Sequence, residues 1–232
     1  RQSYKNFKIL IVYDNEDICD IRIIKNFLKI MNNTSGMPIK IVINKNNLGA
    51  GYSRNIGIKK SKTKYVAFLD SDDIWAKNKL KIQVNLMEKN KQVFSHSSYF
   101  VINSKNKIIS TRDAKSVITV DELIRSCDIG LSTVIINLNF IKRNNFYFPK
   151  IKTKEDFVLW LRIIRKIKFI KGVNKKLTYY RKTSNSLSSN KFISLLNGYK
   201  VYRNYMNYNL IKSFYYLAIL SINSLRKKYK IK

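Results

Sequence analysis

The stretch Tyr65-Val66-Ala67-Phe68-Leu69-Asp70-Ser71-Asp72-Asp73 decides how this chain reads. Five apolar residues run straight into four polar ones, three of them carboxylates, which is the pattern of a buried strand halted by an acidic turn. Lys8 to Tyr13 repeats the pattern and stops at Asp14-Asn15. Between the two, Ile18, Ile21, Ile24, Phe27, Leu28 and Met31 recur at three and four, so an amphipathic helix is expected there, ended by Gly36 and Pro38. Ile39 to Ile43 reads as a second strand, and Asn46-Asn47-Leu48-Gly49-Ala50-Gly51 as a Gly-punctuated turn into a helix over Tyr52 to Lys60. Strands alternating with helices predict an α/β sheet covered on its faces. The carboxylates then lie at the carboxyl ends of strands, where such sheets bind ligands.

Downstream, Leu80, Val84 and Met87 mark a helix, Val93 to Ile102 a strand, and Leu131 to Ile136 another strand. Thr119-Val120-Asp121-Glu122 is a capping box, since the Thr hydroxyl and the Glu carboxylate each satisfy an orphan backbone donor. Glu155 to Lys166 reads as a helix with its acids in the first turn, where the dipole favours them. After Tyr179-Tyr180-Arg181 comes a Ser/Asn-rich loop, and then two helical segments, roughly Phe192 to Tyr205 and Leu210 to Leu225. One α/β domain over residues 1–191 with a helical, basic extension over residues 192–232 is the expected organisation.

The composition, 45% hydrophobic with 7 Gly and 2 Pro, excludes a low-complexity or collagen-like chain. The charge is extreme: 46 Lys and Arg against 14 Asp and Glu, a net +32, which calls for a polyanionic partner such as nucleic acid, an anionic membrane or a phosphorylated substrate. Lysine is scattered through strands, loops and helices, whereas a nucleic-acid binder clusters it on a stripe with aromatics. Cys19 and Cys127 have neither disulfide-framework nor zinc-ligand spacing, which fits a reducing, cytoplasmic location. No apolar run reaches the ~18 residues of a spanning helix. Arg1 is not an initiator Met, so the sequence reads as part of a longer chain.

Asp70 and Asp72, separated by one residue, are spaced to reach a divalent cation bridging a diphosphate. Taken alone the same acids also serve as turn formers or helix caps. His96, the single His, falls in a strand and is weighed between a core residue and an acceptor-site group; Trp75 and Trp160 read as packing residues.

The ordered set Asn47-Leu48-Gly49, Ser53-Arg54-Asn55-Ile56-Gly57, the acidic stretch through Ile74-Trp75, Glu155-Asp156-Phe157-Val158-Leu159-Trp160, and Tyr180-Arg181 resembles the family-two glycosyltransferases of the GT-A fold. The resemblance covers about Tyr4 to Lys191. It implies a Rossmann-like, mostly parallel sheet flanked by helices. It also implies inverting, metal-dependent transfer of a sugar from a nucleotide diphosphate donor, a UDP-sugar first among them, to a hydroxyl of a glycan or lipid-linked acceptor, as in bacterial O-antigen or capsule synthesis. By the same resemblance Asp14 and Arg54 contact the nucleotide, and Asp70 and Asp72 contact ribose and a Mn²⁺ or Mg²⁺ ion. Asp156 is the general base, and Arg181 with Ser186 and Ser188 belongs to a loop closing over the donor. Two departures stand out: the family's first strand lies upstream of Tyr4, and Tyr13 stands where an Asp is common. The rival readings are a basic nucleic-acid-binding protein and an inactive glycan-binding remnant of the fold. Leu210, Ile211, Phe214, Leu217, Ala218 and Ile222, flanked by Lys212 and the basic run from Arg226, predict an amphipathic helix that either packs on the domain or lies on the inner, anionic face of the cytoplasmic membrane.

Overall fold

Phe68 and Leu69 leave a short strand for a turn that carries three aspartates, and the rest of the fold holds that turn. The computed structural model describes residues 2–15, 17–35, 39–182 and 191–229. In chain order its first half contains β1 (Ile9–Tyr13), α1 (Ile18–Ser35), β2 (Ile39–Ile43), α2 (Ala50–Lys60), β3 (Tyr65–Ala67), β4 (Ile74–Trp75), α3 (Lys79–Lys89), β5 (Phe94–Ile102) and β6 (Ile108–Arg112). There follow β7 (Val117–Thr119), α4 (Val120–Arg125), β8 (Ile135–Asn137), α5 (Leu138–Arg143), α6 (Glu155–Ile167), β9 (Phe169–Arg181), α7 (Lys191–Lys200), a π-helical turn (Val201–Tyr205) and α8 (Leu210–Tyr229).

β1 and β2 pair in parallel, Ile11 opposite Ile41. The other strands form a second sheet in the order β3-β8-β5-β9-β4, with β6 added to β5 and β7 to β9. The α/β class with flanking helices is the expected one, and the proportion of parallel pairing is the detail that differs. β5 and β9 run parallel. β3, β4, β6, β7 and β8 all join antiparallel. The β5–β6 connection shows why: a tight turn over residues 103–107 reverses the chain, and parallel pairing needs a longer crossover.

α6 is the central helix. Phe157 to Leu161, Ile163 and Ile164 are all buried, a wide apolar face that leaves Arg162, Arg165 and Lys166 on the solvent side. Phe94 and Phe148 pack edge-on to its Trp160. The same core takes in Val201, Tyr202, Met206 and Leu220 from the C-terminal segment. The capping box at α4 forms as expected, with both reciprocal bonds present.

One sequence reading changes, and one long strand has no counterpart in the sequence analysis. Leu131 to Thr133 is a 3₁₀ turn rather than the start of a strand, because its polar groups are drawn into other contacts: the Ser132 carbonyl accepts from Trp75 Nε1 at 2.7 Å. β9, thirteen residues long, carries no clean alternation in sequence. Its register against β5 shifts twice near Ser97 and Ser98, by two extra residues and then by one, and the second shift breaks the period of two.

Candidate active site

At the end of β1, the Asp14 carboxylate accepts hydrogen bonds from Asn44 Nδ2 at 2.7 Å and from the backbone N–H of Leu48 at 2.9 Å. Burial would raise its pKa, but these donors, with Gly49 and Ser53, outweigh it and hold the acid below its ordinary range. Asn44 Nδ2 also donates to Ser53 Oγ at 2.9 Å, so Asp14 is tied to the first turn of α2. Gly49, which precedes that helix, has φ 87° and ψ 158°, a conformation open essentially to glycine alone. Gly51 faces α6, where an added Cβ would lie 3.2 Å from Glu155 Cγ.

One residue beyond Ser53, Arg54 spreads its guanidinium between two elements. Nη2 donates to Asp70 Oδ1 at 2.8 Å, and Nη1 donates to Glu155 Oε1 in a short contact. The ring of Phe148 lies under the guanidinium at 5.6 Å. Burial alone would lower the Arg54 pKa, but Asp70 and Glu155 raise it further. Lys154, at φ 67°, takes the left-handed conformation just before α6 and turns the chain so that Glu155 and Asp156 enter the helix beside Arg54. Burial, then the like charge of Glu155, pushes the Asp156 carboxyl up to about 6, with Arg54 opposing. An acid poised there is ionised at neutral pH yet basic enough to accept a proton from a hydroxyl.

The acidic turn is clamped from behind. Asp73 N–H donates to the Asp70 carbonyl at 3.0 Å, and Asp70 N–H donates to Ser132 Oγ at 3.1 Å. Asp72 is exposed, whereas Asp73 is buried and pushed up to about 6 by that burial. Asp73 Oδ1 accepts from the Arg181 N–H at 2.8 Å, while Oδ2 has no partner among the described residues. The Arg181 guanidinium donates to the Asp72 carbonyl, to the Asn103 carbonyl and to Asn106 Oδ1. Its donors hold the turn in place against the β5–β6 loop.

Beneath this turn lies a buried lysine. Lys79 is fully buried, donates to Gln83 Oε1 at 2.6 Å and lies over the Trp75 ring at 4.5 Å. Gln83 Nε2 passes the network on to Ser95 Oγ and to the Thr133 carbonyl. Burial brings the Lys79 pKa down to about 7.

The structure thus brings Arg54, Asp70 and Asp156 together with Glu155, while Asp72 and Arg181 share the acidic turn, and Asp14 is tied to the residue before Arg54 through Asn44 and Ser53. Ser186 and Ser188 lie outside the described residues. His96 stands apart in the sheet interior, buried opposite Gly172, where a Cβ would come within 2.8 Å of its Nε2. Sequence reasoning missed Glu155, Asn44, Asp73 and Ser132 as parts of the site. Two left a signal: Glu155, the second acid beside Asp156, reads as a dipole partner, and Asp73, the third acid of the turn, reads as a turn former or cap.

Carboxylate oxygens are the donors a Mn²⁺ or Mg²⁺ ion takes, and Asp70 and Asp72 supply them from the acidic turn. Among the described residues no three His, Cys, Asp or Glu side chains gather tightly enough to hold a metal alone. Asp70 and Asp72 are donors of the chemistry that such an ion takes, and they are fewer than a cluster of three.

The model for the family described as "Glycosyl transferase family 2" matches residues 1–162. The chain belongs to that family. Among family-2 relatives, it is 33% identical over 225 residues to the Escherichia coli "UDP-Glc:alpha-D-GlcNAc-diphosphoundecaprenol beta-1,3-glucosyltransferase WfgD", covering 96% of this chain and 84% of the relative. It is 34% identical over 230 residues to E. coli WfaP, which carries the same description as a UDP-Glc:alpha-D-GlcNAc-diphosphoundecaprenol beta-1,3-glucosyltransferase, covering 97% and 85%. A solved structure of S. aureus TarS residues 1–349 in complex with UDP-GlcNAc superposes with a TM-score of 0.68 at 20% identity, over 88% of this chain and 58% of that one. That likeness shows the GT-A fold. This chain is a family-2 glycosyltransferase.

Proposed function

We propose that this family-2 protein is a metal-dependent, inverting hexosyltransferase that uses a UDP-sugar and a lipid-linked or glycan hydroxyl, with Asp156 as the base. The observation that carries the reading is the grouping of Asp156, with its raised pKa, beside Arg54 and Asp70 at the carboxyl end of β3. WfgD and WfaP, by their names, take UDP-Glc and a diphosphoundecaprenol acceptor, which is the donor and acceptor chemistry proposed here.

Asp14 and Arg54 flank the nucleotide, Asp14 as an acceptor on β1 and Arg54 as a fixed cation. Asp70 and Asp72 would hold Mn²⁺ or Mg²⁺, which supplies charge neutralisation of the departing diphosphate. Asp156 takes the proton of the acceptor hydroxyl as its oxygen attacks the anomeric carbon. The bond to the nucleotide diphosphate breaks on the opposite side, and the configuration inverts. Arg181 contributes by holding the Asp72 turn, and Ser186 and Ser188 belong to the loop expected over the donor. A lipid-linked acceptor presents its hydroxyl at a bilayer, so a cytoplasmic protein in peripheral contact with the membrane completes the reading.

A donor screen tests it: nucleotide diphosphate release from uridine, guanosine and thymidine sugars, with and without chelator, in wild type and Asp156→Asn. Release from a uridine sugar that stops in chelator, returns with Mn²⁺ or Mg²⁺ and falls by ~10²-fold or more in Asp156→Asn is expected. Full turnover in excess chelator, or in Asp156→Asn, overturns it.

A further inference from the structure

On α8, Ile211, Phe214, Ala218, Ile222 and Leu225 recur at three and four, which places them on one stripe. That stripe is open: Ile211 is 83% exposed and Phe214 59%. The opposite side of the helix, with Ser213 and Leu220, is buried against the domain. The amphipathic helix expected from sequence thus packs through its other face and leaves its more apolar one uncovered.

α7 extends the surface. Phe192 and Leu195 are also exposed, and the Tyr199 ring meets the Phe214 ring at 5.1 Å, which makes the apolar surface of α7 continuous with that of α8. Monomeric proteins rarely leave contiguous apolar patches of this kind uncovered without a partner.

Charge identifies the partner. From Phe157 to Lys232 the sequence has no Asp or Glu, while residues 191–232 carry nine Lys and Arg. A second copy would bring like charge against like, whereas an anionic bilayer neutralises it. No helix among the described residues is long and apolar enough to cross a membrane.

We propose that α7 and α8 together lie in the interface of an anionic lipid bilayer, with Phe192, Leu195, Ile211, Phe214, Ile222 and Leu225 facing the acyl boundary. The same pair of helices touches the catalytic loop: Asn197 Nδ2 on α7 donates to Thr153 Oγ1 at 2.9 Å, three residues before Asp156. The docking itself does not depend on the reading of a lipid-linked acceptor.

Co-sedimentation of the protein with vesicles of phosphatidylglycerol and phosphatidylethanolamine, against neutral phosphatidylcholine, tests the surface. Binding to the anionic vesicles is expected, weakened by high salt and reduced by at least about tenfold in Ile211→Ser/Phe214→Ser, whose positions are exposed enough to spare the fold. Circular dichroism checks that fold, and nucleotide release from the donor in the absence of vesicles should match wild type. No vesicle binding, equal binding to neutral lipid, or binding unaltered by the double variant overturns the proposal. So does a self-association in solution that the same variant abolishes. Vesicle binding intact in a protein that releases no nucleotide would instead defeat the catalytic reading alone.

Discussion

Arg54 on α2 donates to Glu155 at the start of α6, 101 residues away in sequence, and with its other nitrogen to Asp70. One planar cation thus joins the nucleotide side of the site to the residue next to the base. A lysine carries the same charge but has no rigid fork with which to bridge two carboxylates.

Arg54→Lys should therefore lose most activity while keeping the fold, and Arg54→Met should also cost about 2 kcal/mol of stability. That figure is at the low end for a broken partly buried pair, because Asp70 is 37% exposed. Urea unfolding measures the second effect. Because the Arg54 charge lowers the Asp156 pKa, the acid limb of the pH–rate profile should move to higher pH in Arg54→Met and stay nearer wild type in Arg54→Lys.

The pH dependence of activity and of stability should run in opposite directions. Asp156 must be ionised to act, so the rate rises as pH passes through about 6. Its folded pKa lies above the ordinary 3.8, so the folded state binds the proton more tightly than the unfolded state. The stabilisation from this residue is present below about pH 4 and lost as pH rises through about 6. Thermal unfolding of wild type and Asp156→Asn across pH 4 to 7 should show the difference narrowing toward acid in favour of wild type.

Lys79 predicts the opposite slope. Its folded pKa of about 7 lies below the ordinary 10.5, so between these values the unfolded state binds more protons and stability rises with pH, by up to about 1.4 kcal/mol per unit. Lys79→Met should remove that slope. Equal slopes in the two proteins would show that the ammonium is not held away from water.

Gly49→Ala should cost about 1–3 kcal/mol, because φ 87° with ψ 158° admits no Cβ without strain. The shift would fall on the Leu48 N–H that donates to Asp14, so weaker binding of uridine diphosphate, read by calorimetry, should accompany it.

Much was legible along the chain because it depends on near neighbours. Apolar runs of five ending in aspartate, and the three-and-four spacing of Ile18 to Met31, specify strands and helices through local sterics and periodicity. The order of the motifs was enough to place Asp14, Arg54, Asp70, Asp72 and Asp156 in one family. Tertiary structure alone decided the partners. Arg54 finds Glu155, Ser132 finds the Asp70 N–H, and Gln83, which accepts from Lys79, reaches Ser95 and Thr133, each through residues far apart in sequence that no local pattern brings together. The same holds for α8. Its periodicity, read along the sequence, identifies an apolar stripe but not whether that stripe meets the core or solvent, because the neighbouring elements, and not the helix, determine which side is covered.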